Sequence, residues 1–472
     1  MAQFLISAAH KSSGKTTVSI GLCAALKQRG FTVQPFKKGP DYIDPMWLSL
    51  ASGSVCRNLD FYLMGHDEIR AMFEKHAALA DVSLIEGNKG LYDGLDLDGS
   101  NSNSALAQLL NVPVVLVIDA RGMTRGIAPL ILGYQAFERN IRIAGVILNH
   151  LGGARHESKL RAVIEHYTDV PVLGAVPHDI DLQIQERHLG LMPSNETELA
   201  TSHVEQIGRA IAQQVDLERL LQLESQPCLP TQDKIVFAPK PALAKNTPPV
   251  RIGLARDQAF GFYYADDLEA LQSAGAELVP LDTLHDPALP DIDGLFIGGG
   301  FPELMMQALQ ANTTLRAQIR SAIEGGMPVY AECGGLMYLA RSLTWQGRTC
   351  EMVGALAGDV VMQDKPVGRG YVRLQETDKM PWRLPSDAVS GEIGAHEFHY
   401  SSLENIDPNT QFAYRVLRGH GVDGQHDGIV YKNTLACYSH LRSLQGNNWA
   451  ARFVDWVRRT SIRRTNRSKA VA

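Results

Sequence analysis

Short runs of apolar residues recur through the first half of the chain, at Phe4 to Ala8, Thr32 to Phe36, Val82 to Ile85, Val114 to Ile118, Ala144 to Leu148 and Val172 to Val176. Each run is nearly continuous rather than alternating, and helical patterns such as VSIGLCAALKQRG fill the intervals. Strands that are apolar on both faces belong to parallel sheets covered on both sides, so the pattern predicts an α/β domain. Three runs end in a polar residue: Glu86, Asp119 and Asn149. In open α/β sheets the ligand crevice lies beyond the carboxyl ends of the strands, so these three are expected to face one site.

From about Leu217 to Pro249 the periodicity gives way to Pro and polar residues, which predicts an interdomain linker over 217–249. A second α/β series begins with RIGLARD at 251–257 and continues through GLFIGGGFPE at 294–303 and MPVYAECGGLMYLA at 327–340. The expected organisation is therefore a first domain over 1–216, the linker, a second domain over 250–450 and a basic tail over 451–472. The tail carries repeated Arg without apolar periodicity and is expected to be solvated and disordered. No internal repeat is visible.

A length of 472 residues exceeds what one hydrophobic core usually supports, in keeping with two domains. The net charge of -6 makes no global case for nucleic acid or an anionic membrane as partner, so a small anionic ligand must be held by local charge. Six cysteines (Cys23, Cys56, Cys228, Cys333, Cys350, Cys437) lack paired metal-ligand spacing, which argues for reduced thiols and a cytoplasmic location. No run approaches the roughly 18 apolar residues of a membrane span. The opening residues are expected to form a first strand rather than a leader.

The segment HKSSGKTT at 10–17 ends as a Walker-type phosphate loop does, although Ala9 stands where the pattern has its first Gly. A strand pattern before it and a helix pattern after it supply the context the motif needs. Ser13, Gly14, Lys15, Thr16 and Thr17 are therefore expected to cradle the phosphates of ATP. Lys15 would neutralise the β and γ phosphates, Thr16 would ligate Mg²⁺ and Thr17 would support the loop. In GPDYIDP, Asp41 and Asp44 stand three apart in a Gly/Pro-bounded loop, where they can bind Mg²⁺, position a substrate or simply form a turn. Glu86 ends a strand after a phosphate loop, where a second Mg²⁺ ligand is expected. Asp93 follows on a Gly-flanked loop and stays open between a site role and a loop role.

A second chemistry is written at VYAECGG, residues 329–335. It has the form of a strand-to-helix elbow that exposes Cys333, with Gly334 letting a backbone amide approach a developing oxyanion. Gly299 and Gly300, closing FIGGG, are candidates for a further oxyanion donor. A free thiol, with a pKa of about 8.5, needs a nearby base or helix N-terminus. His440 in LACYSHLR follows another short strand and is the partner candidate. The HEFH at 396–399 lacks the HExxH spacing and a third ligand, so no zinc is expected there. Nucleotide and thiol sites on one chain fit a glutamine-dependent amidotransferase, in which a Cys frees ammonia from glutamine and ATP activates the carboxylate that receives it. A regulatory P-loop ATPase would leave Cys333 and His440 unexplained.

The blocks SSGKTT, FKKGPDYIDP, the EG…GLYDG segment, PVLGAVP, IGGGFPE, YAECGGLMYL and AHEFHYS resemble the cobyrinic acid a,c-diamide synthase family over nearly the whole length. The resemblance implies an N-terminal P-loop synthetase domain, similar to dethiobiotin synthetase, joined to a C-terminal class I glutamine amidotransferase domain. It implies ATP- and Mg²⁺-dependent activation of acetate side chains a and c of an anionic tetrapyrrole, through an acyl phosphate, followed by attack of ammonia drawn from L-glutamine. Under it Cys333 is the nucleophile and His440 raises its nucleophilicity, while Asp41, Asp44, Glu86 and Asp93 belong to the ATP/Mg²⁺ and substrate site. A homodimer is compatible with it.

Two departures from the family pattern change the expectation. Many class I amidotransferases place a Glu two residues after the His, whereas position 442 is Arg, so Cys333 and His440 are expected to act as a dyad. Corrinoid-directed members usually have EGVMGLYDG, whereas this chain has EGNKGLYDG with Asn88 and Lys89. That variant looks like the branch found with dissimilatory sulfite reductase systems, thought to amidate sirohaem or sirohydrochlorin. Cobyric acid synthase has similar domains, but GPDYIDP and AHEFHYS favour the a,c type.

Overall fold

The computed structural model describes residues 1–179, 182, 184, 186–187, 190–196, 199–223, 248–383 and 391–471. The chain divides into two compact units, Met1–Ile235 and Val236–Ala472. Among the described residues no helix is long and apolar enough to cross a membrane.

In the first unit the apolar runs become β1 (Ala2–Ala8), β2 (Val33–Lys38), β3 (Arg57–Leu59), β4 (Val82–Glu86), β5 (Val114–Asp119), β6 (Ile143–Leu151) and β7 (Val172–Pro177). They form a sheet in the order β3-β2-β4-β1-β5-β6-β7, with every pairing parallel. β4 and β5 are buried at every position, which is why their sequences are unbroken rather than alternating. The chain winds to one side of β1 as far as β4 and then crosses to β5 on the other side. The helix Lys15–Gln28 springs from the carboxyl end of β1 at this switch point, where such sheets open a crevice.

In the second unit a nine-stranded sheet is built from β8 (Val250–Ala255), β9 (Ala276–Leu281), β10 (Gly294–Ile297), β11 (Val329–Glu332), β12 (Gly368–Glu376), β13 (Ile393–His399), β14 (Gln411–Arg418), β15 (His426–Tyr431) and β16 (Thr434–Cys437). The spatial order is β9-β8-β10-β11-β16-β15-β14-β12-β13. Pairing is parallel from β9 to β16 and antiparallel beyond it. The two faces feed two cores by strand alternation. Leu295, Ile297, Val329 and Ala331 face one core, and Phe296 and Tyr330 the other.

The second core corrects the expectation of a disordered tail from residue 451. A helix runs over Trp449–Val471, and Trp449, Phe453, Val454 and Val457 are fully buried against Phe296 and Tyr330. Trp449, Phe453 and Val457 stand four apart, a helical stripe masked in the sequence by the arginines that follow Trp456. The second domain therefore extends beyond residue 450. The linker expected over 217–249 is also shortened at its start. Asp216 accepts a hydrogen bond from the Arg219 N–H and caps a helix over Leu217–Leu221, whose Leu217 and Leu220 are buried. Residues 224–247, the rest of that expectation, lie outside the described residues.

Candidate active sites

The loop after β1 passes through Ser12 (φ 63) and Gly14 (φ 84), both left-handed. Asn149, near the end of β6, donates to Ser13 O at 2.9 Å and braces the loop. A Cβ at Gly14 would lie 2.1 Å from Asn149 Nδ2, so the closure requires glycine for space as well as for φ. Lys15 follows, almost buried. Burial and the Lys37 ammonium push its amine below the ordinary lysine range, against the pull of Glu86, Asp44 and Asp93.

Carboxylates from two elements converge on Thr16 and Lys37. Thr16 Oγ1 donates to Glu86 Oε1 at 2.7 Å and to Asp44 Oδ2 at 3.4 Å. Lys37 Nζ, near the end of β2, donates to Asp44 and to Glu86 Oε1 at 2.9 Å, and lies 3.8 Å from Asp41 Oδ2. Burial alone would lower the Lys37 amine, but Asp44, Glu86 and Asp41 hold it well above the ordinary value. Burial and the neighbouring Asp44 push Asp41 up to about 7, opposed by Lys37. Burial likewise raises Glu86, again opposed by Lys37. Glu86 Oε2 is buried without a hydrogen-bond partner among the described residues. A spare carboxylate oxygen beside a threonine hydroxyl and a second carboxylate is a hard-oxygen donor set of the kind Mg²⁺ takes.

Other expected residues stand at the margin of this cluster. Asp93 is exposed, and its Oδ2 closes a turn by accepting the Gly90 N–H at 2.9 Å. Thr17 is half-buried in the first helical turn and has no hydrogen bond to the cluster. Asp119 is tied to Arg121 and lies 3.4 Å from His150, so of the three strand-end residues Glu86 alone joins the carboxylates. Asn88 accepts from Lys38 Nζ at 3.2 Å, and Lys89 is exposed at φ 46. Lys37 escaped the sequence reading, since a lysine closing a strand ordinarily reaches solvent. The juxtaposition of PFKK with two nearby aspartates was the available signal.

In the second unit β11 ends at Glu332, and Cys333 turns the chain at φ 48, ψ −102 into the helix Gly334–Leu339. A non-glycine residue in that region stores strain. Two hydrogen bonds hold it there: Cys333 N–H donates to Cys437 O at 2.7 Å, and Cys333 O accepts the Met337 N–H at 3.1 Å. β11 and β16 are parallel with Glu332 opposite Cys437, so the chain leaving β16 carries His440 to the elbow. His440 is buried, which would lower its pKa, but the adjoining Cys333 and Glu332 side chains push it up to about 10. A Cβ on Gly299 would lie 2.7 Å from His440 Cε1, and one on Gly334 would lie 3.1 Å from Gly300 N. The three glycines expected to serve an oxyanion thus border the Cys–His pair.

Glu332 Oε2 lies 3.4 Å from His440 Nδ1, and its Oε1 accepts the Leu441 N–H at 3.0 Å and the Tyr330 hydroxyl at 2.5 Å. The sequence reading missed it because it stands one residue before the thiol, where no spacing rule looks for a histidine's carboxylate. Arg442 is buried, donates to Asp266 Oδ2 at 2.7 Å and lies over the Tyr264 ring at 4.9 Å. The two HEFH histidines are engaged separately. The His396 ring stacks on that of His440, 4.8 Å between centroids, whereas His399 Nδ1 donates to Ser401 O at 2.8 Å and its ring stacks on Tyr438.

With this geometry in view, known proteins give concordant likenesses. Residues 5–191 match the CobQ/CobB/MinD/ParA nucleotide binding domain, and residues 251–448 match the CobB/CobQ-like glutamine amidotransferase domain. The chain is 48% identical over 469 residues to the cobyrinate a,c-diamide synthase of Magnetococcus marinus, covering 98% of each chain. It is 42% identical to that of Methanosarcina acetivorans, covering 96% of this chain and 94% of that one. It is 39% identical to that of Caldanaerobacter subterraneus, covering 96% and 97%.

Proposed function

The chain belongs to the cobyrinate a,c-diamide synthase family, and we propose that it uses ATP and glutamine to amidate the a and c acetate groups of a corrin-type tetrapyrrole. The observation that carries this reading is the presence on one chain of the Lys15–Thr16–Glu86 cluster and the Cys333–His440 pair. Either alone would suit many functions. Together they provide for activation of a carboxylate and delivery of ammonia.

In the first unit Lys15 neutralises charge on the β and γ phosphates while the acceptor carboxylate attacks the γ phosphorus. This forms an acyl phosphate and releases ADP. Thr16, Asp44 and Glu86 would hold Mg²⁺, which supplies further charge neutralisation on the phosphates. Lys37 keeps Asp44 and Glu86 together at the strand ends. In the second unit Cys333 attacks the carboxamide carbon of glutamine, and backbone N–H groups near Gly299, Gly300 and Gly334 face the oxyanion that develops. His440 gives its proton to the departing ammonia, and water releases glutamate from the thioester. Ammonia then displaces phosphate from the acyl phosphate to leave the amide.

Lys89 favours a second acceptor. It is an exposed cation in a left-handed turn just beyond Asn88, and the EGNKGLYDG segment that carries it supports sirohydrochlorin or sirohaem as that acceptor. A cytoplasmic location is part of the proposal, supported by the free, buried thiols of Cys23, Cys56, Cys333, Cys350 and Cys437. The test is a panel of cobyrinic acid, hydrogenobyrinic acid, sirohydrochlorin and sirohaem with ATP, Mg²⁺ and glutamine, read by mass. Conversion of two carboxylates of cobyrinic acid to carboxamides is expected. Amidation of sirohydrochlorin or sirohaem alone would transfer the assignment to the second acceptor, and no amidated product from any of the four would overturn both.

A further inference from the structure

We propose that Glu332 is the positioning carboxylate of the thiol site, holding the His440 imidazole through Nδ1 so that its other nitrogen serves Cys333. The inference rests on the reading of Cys333 and His440 as the glutamine-hydrolysing pair. It adds a third member where the family spacing offers an arginine.

Glu332 is 3% exposed, and two donors fix its Oε1. Oε1 accepts from the Leu441 N–H and the Tyr330 hydroxyl, which leaves Oε2 directed at His440 Nδ1 at 3.4 Å. Leu441 is the next residue after His440, so one carboxylate fixes both the backbone and the ring of that segment. Tyr330 is itself immobilised, its ring 5.2 Å from Phe296 and 4.7 Å from Trp449. Successive side chains of a regular strand point to opposite faces, so neighbours could not both reach one imidazole. The φ of 48 at Cys333 removes that obstacle, so Glu332 Oε2 stands 3.4 Å from the His440 ring and Cys333 acts on the same ring.

The other charged groups nearby are engaged elsewhere. His396 of β13 stacks on His440, and burial holds it well below the ordinary histidine range, so it brings a ring without a charge. Arg442 pairs with Asp266. Asp267 Oδ1 accepts the Ser443 N–H at 2.6 Å. A carboxylate at Nδ1 selects the tautomer and stabilises the imidazolium formed during proton transfer, the role an orienting acid plays in hydrolytic triads.

The test uses the full chain with Glu332→Gln, Glu332→Asp, Tyr330→Phe and Cys333→Ala, measuring glutamine hydrolysis across pH and ammonium-supported amidation. Glu332→Gln is expected to lower kcat for glutamine hydrolysis about 100-fold with KM nearly unchanged, a typical loss for disabled acid–base catalysis. The alkaline limb of kcat/KM should move to lower pH, because His440 loses a group that keeps it protonated. Glu332→Asp should recover part of the rate. Tyr330→Phe should shift the limb the same way by less, and it decides the matter if Glu332→Gln does not fold. Ammonium-supported amidation should persist throughout. If Cys333→Ala abolishes glutamine use while Glu332→Gln and Tyr330→Phe keep the wild-type kcat and limb, the positioning role is overturned alone. If Cys333→Ala still uses glutamine, the underlying assignment of the pair falls instead.

Discussion

Lys37 Nζ and Glu86 Oε1 stand 2.9 Å apart with side chains 4% and 0% exposed, which makes this pair the electrostatic pivot of the nucleotide cluster. A buried ammonium has lost its hydration and is compensated only by the carboxylates that face it. The same holds in reverse for Glu86, whose ionised form burial disfavours.

Replacing Lys37 with Met is therefore expected to destabilise the first unit by about 3–5 kcal/mol, the usual cost of orphaning a buried charge. Denaturant unfolding would measure it. The double variant Lys37→Met/Glu86→Gln should recover part of the loss because one stranded charge is gone. Stability within about 1 kcal/mol of wild type for Lys37→Met would mean that the pair contributes little net energy.

The two chemistries should separate by substitution. Lys15→Ala is expected to lower amidation about 100-fold or more with either glutamine or ammonium, since neither meets an activated carboxylate, while glutamine hydrolysis continues. Cys333→Ser should do the opposite, losing glutamine-supported amidation and keeping the ammonium-supported reaction. Parallel loss of both reactions in a folded Cys333→Ser protein would contradict this division.

Gly299→Ala tests how tightly the histidine is seated. The new methyl would lie 2.7 Å from His440 Cε1 and 3.3 Å from Phe262 Cβ, so the imidazole must move. A displacement near 1 Å commonly costs about 100-fold in rate, and glutamine hydrolysis should fall by that order. Unchanged hydrolysis would place the working imidazole elsewhere.

The His440 charge should also be visible in stability. Its pKa is raised in the folded protein from 6.5 to about 10, so its contribution is complete below about pH 6.5 and is lost as pH rises through 10. The stability gap between wild type and His440→Gln is expected to narrow over that window in denaturant titrations. A gap independent of pH would show that the imidazole is not held charged.

What the sequence disclosed depended on how each residue is buried. β5 and β4 announced themselves because strands covered on both faces are written as unbroken Val, Ile and Leu. β12 did not, since its buried positions are interrupted by exposed Arg369, Gly370, Arg373 and Gln375. The phosphate loop and the thiol elbow were legible because each is local, with glycine and the functional residue side by side. Lys37 and Glu332 were not, because their significance lies in partners distant in the chain, 49 residues away for Lys37 with Glu86 and 108 for Glu332 with His440. The helix over Trp449–Val471 shows a further cause of failure, in which conspicuous arginines drew attention from a sparse apolar stripe.

β16 is the last of the nine strands in sequence, yet it lies inside the sheet between β11 and β15. During synthesis β11 therefore waits with one edge bare until residues 434–437 emerge, and Cys333 waits for both Cys437 O and His440. The thiol cannot be armed on a partial chain, so an unfinished protein releases no ammonia from glutamine. The same waiting edge is open to pairing with other chains and to proteases. Chains arrested on the ribosome before residue 434 are expected to be silent toward glutamine and readily cleaved around β11, and protection of that strand in such chains would contradict the order.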